Sequence, residues 1–163
     1  MRILGIDPGT AKTGYAIVDE LEGHLQLVTL GVITTPAKDS LASRLQQIYA
    51  ELVEIVAAHS PDASAVEELF FSRNARTAMS VGHARGVALL ALADAGLPIA
   101  EYTPMQIKQA VTGYGNAGKQ QVQEMVRVLL GLAETPRPDD AADAAAVAIC
   151  RLHRVKLDSL LEA

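Results

Sequence analysis

Asp7 follows the short apolar run Ile3-Leu4-Gly5-Ile6 and is followed at once by Pro8 and Gly9. Such a run reads as a buried strand, and a Pro-Gly pair turns the chain: proline lacks the donor a sheet ladder needs, and glycine tolerates positive φ. A carboxylate therefore stands at the end of a strand on an apolar scaffold. Asp-Pro-Gly is also ordinary turn chemistry, so Asp7 alone carries no function. A second acidic position, Glu67-Glu68, ends the run Ala63-Ser64-Ala65-Val66. Asp140 and Asp143 open an alanine-rich segment, three residues apart, which sets both on one face of a helix. The helix macrodipole by itself accounts for acids in a first turn, and so for Asp139 and Asp140. Asp143 lies further in, among alanines, where a charge needs a partner.

Brought together, Asp7, Glu67, Asp140 and Asp143 would repel one another. A hard divalent cation resolves that conflict, and Mg²⁺ with oxygen ligands is the natural occupant, with Mn²⁺ able to substitute. Two such ions about 4 Å apart are the arrangement for in-line phosphoryl displacement, one activating water and the other stabilising the leaving oxygen. Other chemistries are poorly supplied. The single cysteine, Cys150, excludes an intrachain disulfide and a CxxC metal site, and its neighbours read as a buried helix. His24, His59, His83 and His153 are scattered without zinc spacing, and His153 reads as structural.

The elements that must position the acids follow from periodicity. Thr13 to Val18 reads as a strand returning from the Asp7 corner. Leu25 to Thr35 alternates and is rich in β-branched residues, a third strand. Asp39 or Ser40 caps a helix from Leu41 to Ala58, with Leu41, Leu45, Ile48, Leu52 and Ile55 on one face. After the short strand at Ala63 comes Leu69-Phe70-Phe71-Ser72-Arg73-Asn74, then a helix from Ala75 to Ala95 crowded with small residues, which lets another helix approach closely. Leu97 to Tyr102 is a fifth strand. Helices follow at Pro104 to Val111, Lys119 to Leu130 and Asp139 to His153. An antiparallel meander followed by β-α-β crossovers implies an α/β fold: a mixed five-stranded sheet flanked by helices on both faces. Residues 1–163 read as a single domain.

The net charge of −5 argues against a general nucleic-acid coat but not against a nuclease, whose acids lower the sum while local Lys and Arg hold a phosphate backbone. No apolar run approaches the ~20 residues of a spanning helix, and the N-terminus lacks a signal-peptide layout, so a soluble cytoplasmic protein is expected.

These residues match a family. The chain resembles the RuvC Holliday-junction resolvases, which have an RNase H-like fold. The resemblance runs through ILGIDPGTAKTGYAIV, AVEELFFSRNARTA, GHARGVAL, EYTPMQIKQAVTGYGNAGKQQV and DDAADAAAVAI, nearly the whole chain. It implies that Asp7, Glu67, Asp140 and Asp143 are the metal-binding catalytic acids, choosing Glu67 over Glu68; the adjacent Asp139 reads as a helix-start residue, with coordination by it as the alternative. It gives Lys108 and Lys119 roles in DNA contact and catalysis, and Phe70 a role stacking on an unpaired base. Arg73, Asn74 and Arg76 follow the Phe pair and are placed for phosphate contacts. Lys119 stands behind three glycines at a helix start, where backbone amides and an ammonium meet a phosphate; a solvated surface charge is the plain alternative. The implied activity is symmetric, Mg-dependent nicking of two strands of like polarity in a four-way DNA junction, in recombination and repair. The implied partners are a second copy, packed through the helix from Ala75 to Ala95, and a branch-migration motor.

Two other classes remain at this point. Actin-like ATPases and sugar kinases share an Asp-x-Gly-Thr phosphate turn, which Asp7-Pro8-Gly9-Thr10 fits, but they clasp nucleotide between two related domains. A non-catalytic dimeric DNA-binding module has no need of converging acids.

Overall fold

The structure, a computed structural model, describes residues 1–68 and 74–161. Five strands, β1 (Arg2–Asp7), β2 (Lys12–Leu21), β3 (His24–Thr34), β4 (Ala63–Glu67) and β5 (Ile99–Tyr102), form one sheet in the order β3-β2-β1-β4-β5. β1 pairs antiparallel with β2 and parallel with β4, so it lies at the centre of the mixed sheet. Five helices cover the sheet: α1 (Leu41–His59), α2 (Ala75–Asp94), α3 (Pro104–Thr112), α4 (Lys119–Leu129) and α5 (Asp139–Leu161).

Strand alternation divides the apolar side chains between two cores. Leu4, Ile6, Ile17, Ile33 and Val66 pack with Ile48 and Leu52 of α1 and Ala84, Ala88 and Leu92 of α2. Ile3, Ala16, Val18, Ala63 and Ala65 pack on the opposite face with α3, α4 and the buried alanines of α5. Helices on both faces are thus as expected from the order of elements. Local signals set most boundaries. The Ser40 hydroxyl caps α1, and the helix ends at Ser60, which takes the left-handed conformation before Pro61. A capping box between Thr103 and Gln106, with Pro104 at the first helical position, starts α3.

Two boundaries and the burial of one residue differ from the sequence reading. β5 begins at Ile99 rather than Leu97. Pro98 has no N–H for the ladder, and only its carbonyl is used, accepting from the Ser64 backbone N–H at 2.8 Å. Leu41, expected on the apolar face of α1, is exposed at the helix start. α5 runs on past His153 to Leu161, because no Gly or Pro interrupts the segment.

α5 lies unusually close to the strands beneath it. A Cβ on Gly5 would fall 2.6 Å from the Ala148 backbone nitrogen, and one on Gly14 would overlap the Asp140 carbonyl oxygen. Two glycines on the sheet and a row of alanines on the helix let backbone rest on backbone. Gly14 is also the residue paired with Asp7 across β1 and β2. The contact that seats the start of α5 is therefore one residue away, across the ladder, from the acid that ends β1. Gly14→Ala is expected to cost roughly 1–3 kcal/mol through overpacking against backbone that cannot yield. A denaturant midpoint equal to that of the unsubstituted protein would contradict this packing.

Candidate active site

β1 and β4 are parallel neighbours with Ile6 opposite Val66, so Asp7 and Glu67, the next residues, end their strands side by side. Parity fixes the face. Gly5 lies against α5 and Ile3 belongs to the core beneath it, so Asp7 shares that face; Glu67 shares it with Ala63 and Ala65. Glu68 has the opposite parity, and its backbone N–H is spent on the Tyr102 carbonyl at 2.8 Å. Asp140 and Asp143 arrive from above at the start of α5, seated by the Gly14 contact.

The convergence is visible in the electrostatics. Burial pushes the Asp7 carboxyl up to about 9, and the charges of Glu67, Asp143 and Asp140 act in the same direction. The closeness of Glu67 adds to the upward shift of Asp7. Burial also raises Glu67, moderated by the nearby Asp7 and by the positive charges of Lys108 and Lys119. Asp143 is raised by burial and held back by Lys119. Residues 7, 67, 140 and 143, which are far apart in sequence, thus form one electrostatic unit.

Lys119, the first residue of α4, reaches Asp139 Oδ2 at 3.1 Å and Asp143 Oδ2 at 3.4 Å. Burial opposes its charge, but the hydrogen bond to Asp139 and the Asp143 carboxylate outweigh this and raise its pKa. Lys108 and Lys119 line a cleft of about 240 Å³ with Glu67 and Asp143, closed on its apolar side by Pro104, Ile107, Val122 and Ala146. A second groove, of about 430 Å³, runs between the Gly9–Lys12 turn and the start of α2, with Arg76 and Asp140 in its walls. The turn is tied to α2 by the Thr10 hydroxyl, which donates to the Ser80 carbonyl at 2.5 Å. It is tied to β3 by the Thr35 hydroxyl, which donates to the Thr10 carbonyl at 2.5 Å.

The remaining expected site residues fall variously. Asn74 is the N-cap of α2, its Oδ1 accepting from the Arg76 N–H at 3.1 Å. Phe70 and Arg73 lie outside the described residues. His153 joins α5 to α3 through the Ala110 carbonyl at 2.9 Å, the structural role expected of it. Sequence reasoning set Asp139 aside as a helix-start residue and missed its contact with Lys119. The signal was present: Asp139 and Asp143 are four residues apart, on one helix face.

The donors at the strand ends are all carboxylate oxygens, the set a hard divalent cation takes. Their raised proton affinities are what close carboxylates show without a cation to balance them. Lys119 holds Asp143 at 3.4 Å. Among the described residues no three Asp, Glu, His or Cys side chains close around a single metal position. The donor chemistry fits such an ion.

A parallel–antiparallel five-stranded sheet with acids at the ends of its central strand and its parallel neighbour, closed by a helix bearing two more, is an RNase H-like nuclease architecture. The model of the family "Crossover junction endodeoxyribonuclease RuvC" matches residues 3–151. The crossover junction endodeoxyribonuclease RuvC of Syntrophomonas wolfei is 55% identical over 162 residues, covering 99% of this chain and 94% of that one. Its counterpart from Chloroflexus aurantiacus is 59% identical over 153 residues, covering 94% and 93%. The solved structure of Thermus thermophilus RuvC in complex with a Holliday junction substrate superposes with a TM-score of 0.92 at 38% identity, covering 97% of this chain and 96% of that one. The chain belongs to the RuvC family of crossover junction endodeoxyribonucleases. Family membership sets aside both the actin-like ATPase and the non-catalytic binding module.

In chelator, the acids predict a stability that falls with pH. Asp7 binds its proton more tightly folded (about 9) than its ordinary value of 3.8 allows. The stabilisation is therefore full below that ordinary value and is lost progressively as pH rises toward 9. Glu67 and Asp143 shift in the same direction. Asp7→Asn is expected to flatten this slope and to raise the midpoint at pH 8, by roughly 2–4 °C for each kcal/mol of strain relieved. Thermal melts in EDTA across this range check it; a midpoint that rises with pH would contradict the buried cluster.

Proposed function

We infer that this chain resolves four-way DNA junctions as a crossover junction endodeoxyribonuclease, a hydrolase that cuts DNA phosphodiester bonds. The observation carrying this reading is the meeting of Asp7, Glu67, Asp140 and Asp143 beneath the start of α5, in a chain that matches the resolvase family over residues 3–151. Residues 1–163 act as one nuclease unit, working on DNA in the cytoplasm. Among the described residues no helix is long and apolar enough to cross a membrane.

The four acids would hold Mg²⁺, or Mn²⁺ in its place, as a pair of ions when DNA is bound. Bound there, the metal would supply a water of lowered pKa and a counter-charge for the scissile phosphate. The chain's own residues do the rest. Asp7 and Glu67, fixed by adjacent strands, would offer their carboxylates to the ion, Glu67 from the cleft wall. Lys119 and Lys108, on the cleft wall, meet the non-bridging phosphate oxygens and offset the charge that grows there during attack. The apolar wall of Pro104, Ile107 and Val122 excludes water from one side and borders the sugar next to the cut. Arg76, in the groove beyond Asp140, takes a neighbouring backbone phosphate. Asn74 fixes the helix start from which Arg76 projects. Phe70 and Arg73 complete the DNA surface on the strength of the family resemblance, Phe70 by stacking on an unpaired base at the crossover.

A junction offers paired equivalent strands, and a two-fold dimer places one site on each. Met79 and Leu90 of α2 are exposed large apolar side chains on one helix face with Gly86, whose Cα is open to space. This face is the proposed contact between two copies. A branch-migration motor is the further partner the family implies.

Two outcomes test this reading. Asp7→Asn is expected to bind a synthetic four-way junction within about twofold of the unsubstituted protein while cleaving it at least ~10³-fold more slowly in Mg²⁺. Cleavage near the unsubstituted rate, or equal cutting of linear duplex, would refute the assignment. Leu90→Arg with Met79→Arg is expected to shift the sedimenting species to half the mass; an unchanged mass would move the interface elsewhere.

A further inference from the structure

Asp139 stands beside the acids but apart from them. Its two oxygens have different partners. Oδ2 faces the Lys119 ammonium at 3.1 Å, and Oδ1 accepts from Gln123 Nε2 at 3.1 Å. Lys119 and Gln123 are one turn apart on α4, so this helix grips the carboxylate twice. Asp139 does not line the cleft that holds Glu67, Lys108, Lys119 and Asp143. It borders a different, polar cavity of about 370 Å³ behind α4, with Gln120, Gln123 and Arg137.

We propose that Asp139, braced by Gln123, is a positioning residue that holds the Lys119 ammonium over the cleft. The proposal rests on the reading of Lys119 as the group that meets the scissile phosphate.

Lys119 needs such a tether for three reasons. It opens α4, where the positive pole of the helix disfavours an ammonium, and Gly118 before it offers no side-chain cap. Its side chain is about half exposed (55%) on a four-carbon stem, so an untethered ammonium would spread over many rotamers. Its other carboxylate, Asp143, is one of the acids assigned to the cation. Once Asp143 is so engaged, Asp139 is the carboxylate left to hold Lys119. Because Gln123 fixes the second oxygen, Asp139 is itself held in place. Ammonium, carboxylate and amide then form one brace between the starts of α4 and α5.

The test uses the full chain and compares Asp139→Ala, Asp139→Glu, Gln123→Ala, Lys119→Ala and the double variant Asp139→Ala with Lys119→Ala. In single-turnover cleavage of a synthetic four-way junction at saturating protein, Asp139→Ala is expected to be slower by about tenfold with junction affinity within twofold, a loss seen in the rate and not in binding. Gln123→Ala is expected to lose about threefold, and Asp139→Glu to recover most of the rate. In the Lys119→Ala background, Asp139→Ala is expected to have no further effect, because the two act as a unit. A second readout needs no activity. In nitrogen-15 spectra of metal-free Asp143→Asn, in which the second carboxylate cannot hold Lys119, the Lys119 ammonium signal is expected to be observed and to broaden beyond detection when Asp139→Ala is added. Effects of Asp139 and Lys119 that multiply would overturn the proposal. So would a raised Mg²⁺ requirement in Asp139→Ala that Lys119→Ala does not share, since Asp139 would then be a ligand. If Asp139→Ala fails to fold, Asp139→Asn, which keeps the Gln123 contact, is expected to show the same rate loss. An unsubstituted protein that binds junctions without cutting them would refute the nuclease reading, while the ammonium spectrum would still decide whether Asp139 holds Lys119.

Discussion

Backbone-to-backbone contact between α5 and the β1–β2 ladder governs the position of the acids. Gly5 and Gly14 remove side chains from the sheet, and Ala141, Ala144, Ala145 and Ala148 keep the helix face thin. A helix packed through leucines or isoleucines would ride higher and carry Asp140 and Asp143 away from Asp7. The scarcity of aromatic residues, 4% of the chain, belongs to the same design. A core of alanine, valine, leucine and isoleucine gives up some apolar area for closeness. Cys150, fully buried on this helix and pushed up to about 11 by burial, serves as another small residue rather than a reactive thiol.

That closeness has an electrostatic consequence. Carboxylates held on adjacent strand ends, partly out of water, cannot all ionise at neutral pH without a counter-charge. The chain meets the difficulty with a raised Asp7 pKa and with Lys119 on Asp143. A divalent cation held by these acids would supply the missing counter-charge, and its binding would then be linked to stability at this site.

Much of this was legible in the chain. Alternation and capping signals located all five strands and all five helices, because each signal is local. Asp7 and Glu67 were readable as strand-end acids; their adjacency required knowing that β1 and β4 pair in parallel with Ile6 opposite Val66, a non-local fact that the order of elements only implies. The choice of Glu67 over Glu68 came from resemblance, and strand parity supplies its physical reason. The full length of α5 was missed because the expected helix stopped with the buried, alanine-rich part, whereas the helix runs on through the exposed residues 156–161, where no Gly or Pro ends it. Asn74 reads as a phosphate contact, and its Oδ1 caps α2; a residue just before a helix can serve both uses, through its oxygen and its amide N–H.

The charge balance shows how an acidic protein works on a polyanion. A net charge of −5 opposes DNA at long range, but its reach is limited to about 8 Å at physiological ionic strength. Inside that distance the local pattern decides. Lys108 and Lys119 stand on the cleft wall with the acids, and Arg76 stands in the groove on the far side of Asp140. Other pairs are matched away from the site: Arg2 with Asp19, Arg85 with Glu101, and Arg127 with Glu124. These three cations are neutralised within the fold, while Lys108 and Arg76 line open grooves beside the acids. A DNA strand that reached both grooves would meet the two lysines and the arginine at once, which is where short-range attraction would overcome the long-range repulsion.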